Sequence, residues 1–331
     1  MEDKTRVIVY GLGPIGSSVA RLVLERSNLE LVGGVDIDPA KIGKDIGQVV
    51  QGGRSLGIVV QDKLSGVLEK TEADVVLHTT NSYFDLFIPQ ILEILEAKKD
   101  IVSTSEELSF PWLTYPKQAA KIDAAAKKAG KSVLATGVNP GFLMDTLPLS
   151  LTAICRRIDH IEVRRVQNAS NRRGPFQAKI GSGMTVEEFR KKMDSGRMGH
   201  VGLVESTGMV FNTLGKKLVR FETKIEPVVA EKLIQTPYFK VPPGRVIGLK
   251  QVACGYSDQG EFLSLIFTAV LESPEDQDTI IITGEPSLTI TLQGTNGDTA
   301  TSAIAVNAIQ RIRAAAPGLL TMRDLPIVTL G

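Results

Sequence analysis

Val7-Ile8-Val9-Tyr10-Gly11-Leu12-Gly13-Pro14-Ile15-Gly16 decides how the first part of this chain is read. Four mostly apolar residues form a short strand, the glycines follow as G-x-G-x-x-G, and Gly16–Leu24 continues with apolar residues at helical spacing. Each glycine has its own physical reason. Gly11 permits the tight turn, Gly13 lets backbone approach a pyrophosphate, and Gly16 lets helix pack close against strand. The helix N-terminus, opening at Pro14 and Ile15, presents free N–H groups and positive dipole to phosphate. Alone, the glycine pattern is weak and also fits an ordinary turn. A second strand, Leu29–Asp36, ends in an acid about 20 residues past the last glycine, placed for an adenosine ribose. Together these predict a site for NAD or NADP. Asp36 favours NAD, because a carboxylate repels a 2′-phosphate, whereas Lys41 and Lys44 would receive that phosphate if Asp36 turned away.

The alternation continues outward. Asp74–Thr79 reads as a third strand, Phe84–Ala97 as a helix, Asp100–Ser103 as a fourth strand, Gln118–Lys128 as a helix and Ser132–Ala135 as a fifth strand. Strand–helix alternation predicts an α/β fold with a doubly wound parallel sheet, a Rossmann domain over about 1–148. After Pro148 the pattern changes. Asp159–Val166, Lys217–Ile225, Arg245–Tyr256, Leu263–Glu272 and Thr289–Gln293 read as longer strands, with a helix at Val186–Met193. This predicts a second α+β domain over 149–298 around a largely antiparallel sheet. The Ala-rich segment Thr299–Ala315 is expected to return as a helix, about 299–331 packing on the first domain.

With 331 residues, 43% hydrophobic and 23% charged, the chain has the length for about two domains with proper cores. A net charge of +1 gives no reason to expect nucleic acid or a membrane surface as partner, so a small molecule is expected. Cys155 and Cys254, the only cysteines, are too few and too far apart for a disulfide framework or a metal site. Met1-Glu2-Asp3-Lys4-Thr5-Arg6 leads straight into the first strand without a signal-peptide pattern, and no apolar run approaches a bilayer's thickness. A cytoplasmic protein is expected.

In a doubly wound sheet, ligands bind beyond the carboxyl ends of the strands. Three segments lie there. His78-Thr79-Thr80-Asn81-Ser82 is expected to border the cofactor's ribose and pyrophosphate through Thr79, Thr80 and Asn81, and Ser103-Thr104-Ser105-Glu106-Glu107 to reach the nicotinamide. Thr136-Gly137-Val138-Asn139-Pro140-Gly141-Phe142 is the third, where the Asn139 amide either orients a substrate or forms an Asx turn. Glu106 and Glu107 carry the chemical argument, although acids also suit the first turn of a helix. Successive residues point in different directions, so one of the two is expected to face the substrate. Of the three histidines, His78 packs at a strand end, His160 reads as structural, and His200 lies in the glycine-rich Gly196-Arg197-Met198-Gly199-His200-Val201-Gly202 segment, a plausible cleft position. Neither cysteine sits in a nucleophile's context.

Beyond its fingerprint, Gly34–Asp45 resembles the N-terminal domain of dihydrodipicolinate reductase. Ser103–Pro111, Gly137–Phe142, Gly199–Ser206 and Gly297–Thr301 together resemble the 2,4-diaminopentanoate dehydrogenase and native amine dehydrogenase family over nearly the whole chain. Dihydrodipicolinate reductase itself fits poorly, since this chain has no His-His pair. The resemblance implies reversible oxidative deamination of a primary amine to a ketone and ammonia, with a glutamate of the S-T-x-E-E segment as base. Glu106, nearer the strand end, is expected to be that base, with Glu107 in reserve. Asn139, Phe142 and His200 are expected to line the cleft. Asn168, Arg172, Arg173 and Gln177 form a polar segment that either binds a substrate carboxylate or is a solvated loop. Alternatives are reduction of a cyclic imine or carbonyl without ammonia, and a non-catalytic NAD(P)-binding regulator. A homodimer through the second sheet, using Leu263, Leu265, Phe267 and Ala269 or their alternates, is expected.

Overall fold

The computed structural model describes residues 4–194, 196 and 198–330. Met1–Asp3, quoted above ahead of the first strand, and Arg197 of the glycine-rich segment lie outside the described residues. The chain divides into two compact units, residues 1–142 with 296–331, and residues 143–295. The change of pattern read after Pro148 therefore falls a few residues earlier, at Phe142.

The first unit is a six-stranded, wholly parallel sheet built from β1 (Thr5–Tyr10), β2 (Leu29–Val35), β3 (Val75–His78), β4 (Asp100–Ser103), β5 (Ser132–Ala135) and β14 (Gly318–Leu320). The spatial order β2-β1-β3-β4-β5-β14 reverses direction of growth between β1 and β3. Such a switch point opens a crevice at the strands' carboxyl ends. Val7, Val9 and Leu77 point to one face, and Ile8, Val76 and Ile101 to the other, as period-2 alternation requires. The helix Phe84–Glu96 covers the second face with Phe84, Phe87, Ile91 and Ile94, and Pro116–Ala129 adds Ala119, Ile122 and Ala126. The helix Pro14–Glu25 and the returning C-terminal segment cover the first. That segment is two helices, Gly297–Asn307 and Ile309–Arg313, followed by β14, where a single helix was expected. β14 is three residues long, too short for its own periodicity, and exists because β5 offers it an open edge.

The second unit is a mixed sheet of β6 (Arg157–Asn168), β7 (Arg220–Val229), β10 (Val246–Ser257), β11 (Gly260–Val270), β12 (Gln277–Glu285) and β13 (Leu288–Gln293), with a small hairpin of β8 (Ile234–Gln235) and β9 (Lys240–Val241). Its order is β13-β12-β6-β11-β10-β7, and only the β6–β11 pair is parallel. Ile161, Val163, Leu263, Leu265, Phe267, Ala269, Ile280 and Ile282 are buried on one face. Several elements were not legible in the sequence, among them the β8–β9 hairpin, β12 and the helix Leu203–Thr213. β12 carries its three isoleucines between polar residues and a proline, which masks a nine-residue strand. The helix Leu203–Thr213 carries no sequence signal because Leu203 and Glu205–Phe211 are all buried, leaving no amphipathic stripe. Among the described residues, no helix is long and apolar enough to cross a membrane.

Candidate active site

The glycine fingerprint folds at the switch point. Gly11 has φ +97°, a region glycine favours, and a Cβ there would lie 2.8 Å from the Thr79 carbonyl oxygen. At Gly16 a Cβ would lie 1.8 Å from the Gly11 carbonyl oxygen. Gly13 differs: it caps the helix with φ −68°, and a Cβ would meet nothing within 4 Å. Two glycines are thus demanded by the protein's own packing, while the third leaves open space where a pyrophosphate approaches helix N–H groups. This cradle fits a dinucleotide. Thr79 locks the turn, its hydroxyl donating to the Gly11 carbonyl at 2.6 Å and its amide to the Tyr10 carbonyl at 2.8 Å.

Asp36 lies just past β2 and is 7% exposed. Its Oδ2 accepts from the Leu12 amide at 2.7 Å and from Lys41 Nζ at 3.0 Å, and its Oδ1 from the Asp38 amide at 2.9 Å. Burial pushes this carboxyl up, but the two amides and the Lys41 ammonium outweigh it and hold the group below the usual carboxylate range. Asp36 is therefore ionised and pinned facing the fingerprint, and has not turned away in favour of the lysine.

Behind the crevice lies a buried polar chain. The Ser105 amide donates to Ser103 Oγ at 3.1 Å, and Ser103 Oγ lies 2.9 Å from His78 Nδ1. His78 Nε2 is 2.8 Å from Gln90 Oε1, which also accepts from Thr80 Oγ1 at 2.6 Å. With Gln90 Oε1 as acceptor, the ring proton belongs on Nε2. Complete burial pushes His78 from 6.5 down to about 4, against the opposing bond to Gln90. His78 is thus neutral, and it ties the ends of β3 and β4 together. The hydroxyls of Ser103 and Thr80 are spent in this chain, which corrects the expectation that they bind cofactor. Asn81 is exposed, its Oδ1 accepting from the Tyr83 amide in an Asx turn.

A buried neutral histidine has a stability consequence. The unfolded state takes up its proton near pH 6.5 and the folded state only near 4, so stability is full above 6.5 and falls on descent toward 4. That gap corresponds to about 3 kcal/mol. Urea midpoints of the wild type and His78→Asn at pH 7 and 4.5 check this. The variant is expected to be weaker at pH 7 yet to lack that part of the fall; an identical acid slope would refute the assignment.

The acidic pair resolves cleanly. Glu106 opens a short turn after β4 and lines a small cleft with Thr104, Ser109, Thr136, Asn139 and Thr301. Glu107 points elsewhere. Its Oε2 accepts from the Phe84 amide at 2.5 Å, capping the helix Phe84–Glu96, whose N-cap Tyr83 supplies no side-chain bond. Burial raises the Glu107 carboxyl, with the Phe84 amide and Tyr115 opposing. Glu107 is therefore a helix cap, which corrects its place as reserve base. Asn139 is 7% exposed and precedes Pro140 through a cis peptide; Gly141, at φ +121°, brings backbone so close that a Cβ would sit 2.6 Å from Thr136 Oγ1. Val138 donates to Thr301 Oγ1 at 3.2 Å, fastening the C-terminal helix to the loop after β5. Phe142 is part-buried at the end of this loop, and Thr104 at the end of β4. Sequence reading passed over Thr136 and Thr301 as individual residues, although Thr136 met the same strand-end criterion as Asn139.

The other substrate candidates belong to the second unit. Gln177 is fully buried, its Nε2 donating to the Ser170 and Arg172 carbonyls and its Oε1 accepting from Thr236. Its amide is consumed in holding a loop, which corrects its assignment to substrate. Arg172 places its guanidinium 4.3 Å from the Phe176 ring centroid. Asn168 caps a turn through the Ser170 amide, and Arg173 is exposed. His200 stacks on Phe267 with centroids 4.8 Å apart, and its amide donates to Gln251 Oε1 at 2.7 Å. His160 bonds Ser264 at 3.1 Å, a structural role as expected.

Known proteins supply the remaining frame. Residues 142–330 match the family model for the 2,4-diaminopentanoate dehydrogenase C-terminal domain, and residues 5–109 that for the dihydrodipicolinate reductase N-terminus. The chain is 33% identical to 2,4-diaminopentanoate dehydrogenase of Acetoanaerobium sticklandii, over 98% of this chain and 94% of that one. It is 27% identical to an amine dehydrogenase of Streptomyces virginiae over 54% of this chain and 50% of the other. The solved amine dehydrogenase of Mycobacterium smegmatis superposes with a TM-score of 0.89 at 26% identity, covering 100% of this chain and 98% of that one. With a matching family model over more than half its length and a full-length relative, this chain belongs to the 2,4-diaminopentanoate dehydrogenase family.

Proposed function

We propose that the protein catalyses the NAD(P)-dependent, reversible oxidative deamination of a short primary amine, with 2,4-diaminopentanoate the first candidate. Amine, oxidised cofactor and water give ketone, ammonia, reduced cofactor and a proton. The observation that carries this reading is Glu106: one carboxylate, separated from its neighbour's capping role, in a polar cleft at the carboxyl ends of β4 and β5. Gly11, Gly13, Gly16 and Asp36, with the helix start at Pro14 and Ile15, would hold the cofactor, which when bound supplies the hydride acceptor. Glu106 takes the proton from the substrate's ammonium, because only the neutral amine releases a hydride. Its negative charge then favours the iminium cation and assists water in adding to it. In reverse it holds ammonia beside the ketone. Asn139 orients the substrate, with Phe142, Arg172 and His200 further substrate contacts in this proposal.

NAD is the preferred cofactor in this reading. Asp36 is ionised and pinned toward the fingerprint, and a 2′-phosphate there would meet its charge, although Lys41 and Lys44 leave NADP usable. The test is NAD(P)H formation from 2,4-diaminopentanoate with each cofactor separately. Turnover with the higher kcat/KM for NAD is expected. Absence of turnover in this direction, together with ammonia-independent reduction of an imine, would replace the proposal with imine reduction. A homodimer on the second sheet belongs to the same reading. Leu263, Leu265, Phe267 and Ala269 are buried within the chain, so the alternate face, with part-exposed Ile266 and Val252, is the one left for a partner. Sedimentation velocity checks it.

A further inference from the structure

The cleft beside Glu106 has a volume of about 40 Å³. A water molecule occupies about 30 Å³ in the liquid, and ammonia, with the same number of electrons, is close to that size. The cleft therefore has room for one nitrogen atom with its hydrogens.

Its hydroxyls are unequal. Ser105 Oγ donates to the Asn81 carbonyl at 2.6 Å, Ser109 Oγ to the Glu106 carbonyl at 2.8 Å, and Thr301 Oγ1 accepts from the Val138 amide. Thr136 is 3% exposed, and its Oγ1 is buried without a hydrogen-bond partner among the described residues. A buried polar group left without a partner is unusual and destabilising, so such an atom in a polar cleft points to a ligand. Its backbone is firmly held, the amide donating to the Ser103 carbonyl at 2.8 Å, so the hydroxyl is presented from a rigid strand end.

We infer that Thr136 and Glu106 form a one-nitrogen subsite for ammonia, or for the amino group of the substrate, with Thr136 Oγ1 accepting one N–H. This inference rests on the amine dehydrogenase reading above. Glu106 removes the proton from ammonium, and Thr136 fixes the nitrogen that remains.

The experiment is reductive amination at saturating ketone and reduced cofactor, with ammonium chloride varied, for wild type, Thr136→Val, Thr136→Ala and Thr136→Ser. Valine is nearly isosteric, so loss of an unpartnered buried hydroxyl should leave the thermal midpoint equal or higher. The expected result is a KM for ammonia raised about tenfold in the valine and alanine variants, the worth of one such hydrogen bond. The KM for ketone stays within about twofold, and serine restores the ammonia KM. An unchanged ammonia KM in both valine and alanine variants overturns the subsite and leaves Thr136 facing an ordered water only. A parallel rise in the ketone KM, or a lowered thermal midpoint with no serine rescue, also overturns it, as a structural role would produce. If wild-type cofactor oxidation needs no ammonia, the underlying reading falls and this inference with it. Ammonia dependence that survives intact in the variants removes the inference alone.

Discussion

Glu106→Gln is expected to lower kcat by about 10² to 10⁴-fold, the usual contribution of a positioned acid–base group, with cofactor affinity little changed. Gln keeps the shape but accepts no proton, so the substrate ammonium stays charged and withholds its hydride. Glu107 gives the opposite result. Glu107→Gln keeps an oxygen for the Phe84 amide and should leave both kcat and stability close to wild type. Glu107→Ala removes the side-chain cap at that helix start and should cost about 1 kcal/mol while kcat barely moves. Steady-state kinetics with urea unfolding of all three variants decides the matter. Near-normal turnover in Glu106→Gln, or a collapse confined to the Glu107 variants, would sink the assignment.

The second large effect separates two glycines three residues apart. Gly16→Ala puts a methyl group 1.8 Å from the Gly11 carbonyl oxygen, a contact that backbone must move to relieve. Overpacking of this kind costs about 1–3 kcal/mol or more, and a low thermal midpoint is expected even without cofactor. Gly13→Ala adds the same methyl where nothing lies within 4 Å, at a φ any residue adopts. The apo protein should melt at the wild-type temperature or slightly above. Its NADH dissociation constant, read by fluorescence titration, should rise at least about tenfold, because the methyl occupies the approach of the pyrophosphate. Equal melting losses in both variants would mean that Gly13 is structural and the cradle misread.

Much of this was legible in the chain because the signals were local. Gly11, Gly13, Gly16 and Asp36 are spaced by the geometry of one βαβ unit, and each parallel strand is a short apolar run bounded by a helix with its own period. The strand ends likewise announce the three segments that meet at the crevice, since doubly wound sheets bind ligands there. Motif and order of elements were enough for the Rossmann sheet, and the resemblance carried by Ser103–Pro111 and Gly137–Phe142 pointed to the family.

Other facts depend on what lies across space, which no local pattern records. Glu106 and Glu107 are identical neighbours, and only the approach of the Phe84 amide, 23 residues away in sequence, makes one a cap and leaves the other in the cleft. Gln177 looked like a binding residue until two carbonyls of its own loop and the distant Thr236 hydroxyl claimed its amide. Ser103 and Thr80 were drawn inward by His78 and Gln90, and Thr136 stood out only once the hydroxyls of Ser105, Ser109 and Thr301 proved to be engaged. By itself the sequence determined the fold of the nucleotide half, the location of the strand-end loops and the types of chemistry available. Tertiary structure alone decided which of those side chains remain available, because a hydrogen bond is satisfied by whichever group the fold brings within about 3 Å, regardless of its distance along the chain.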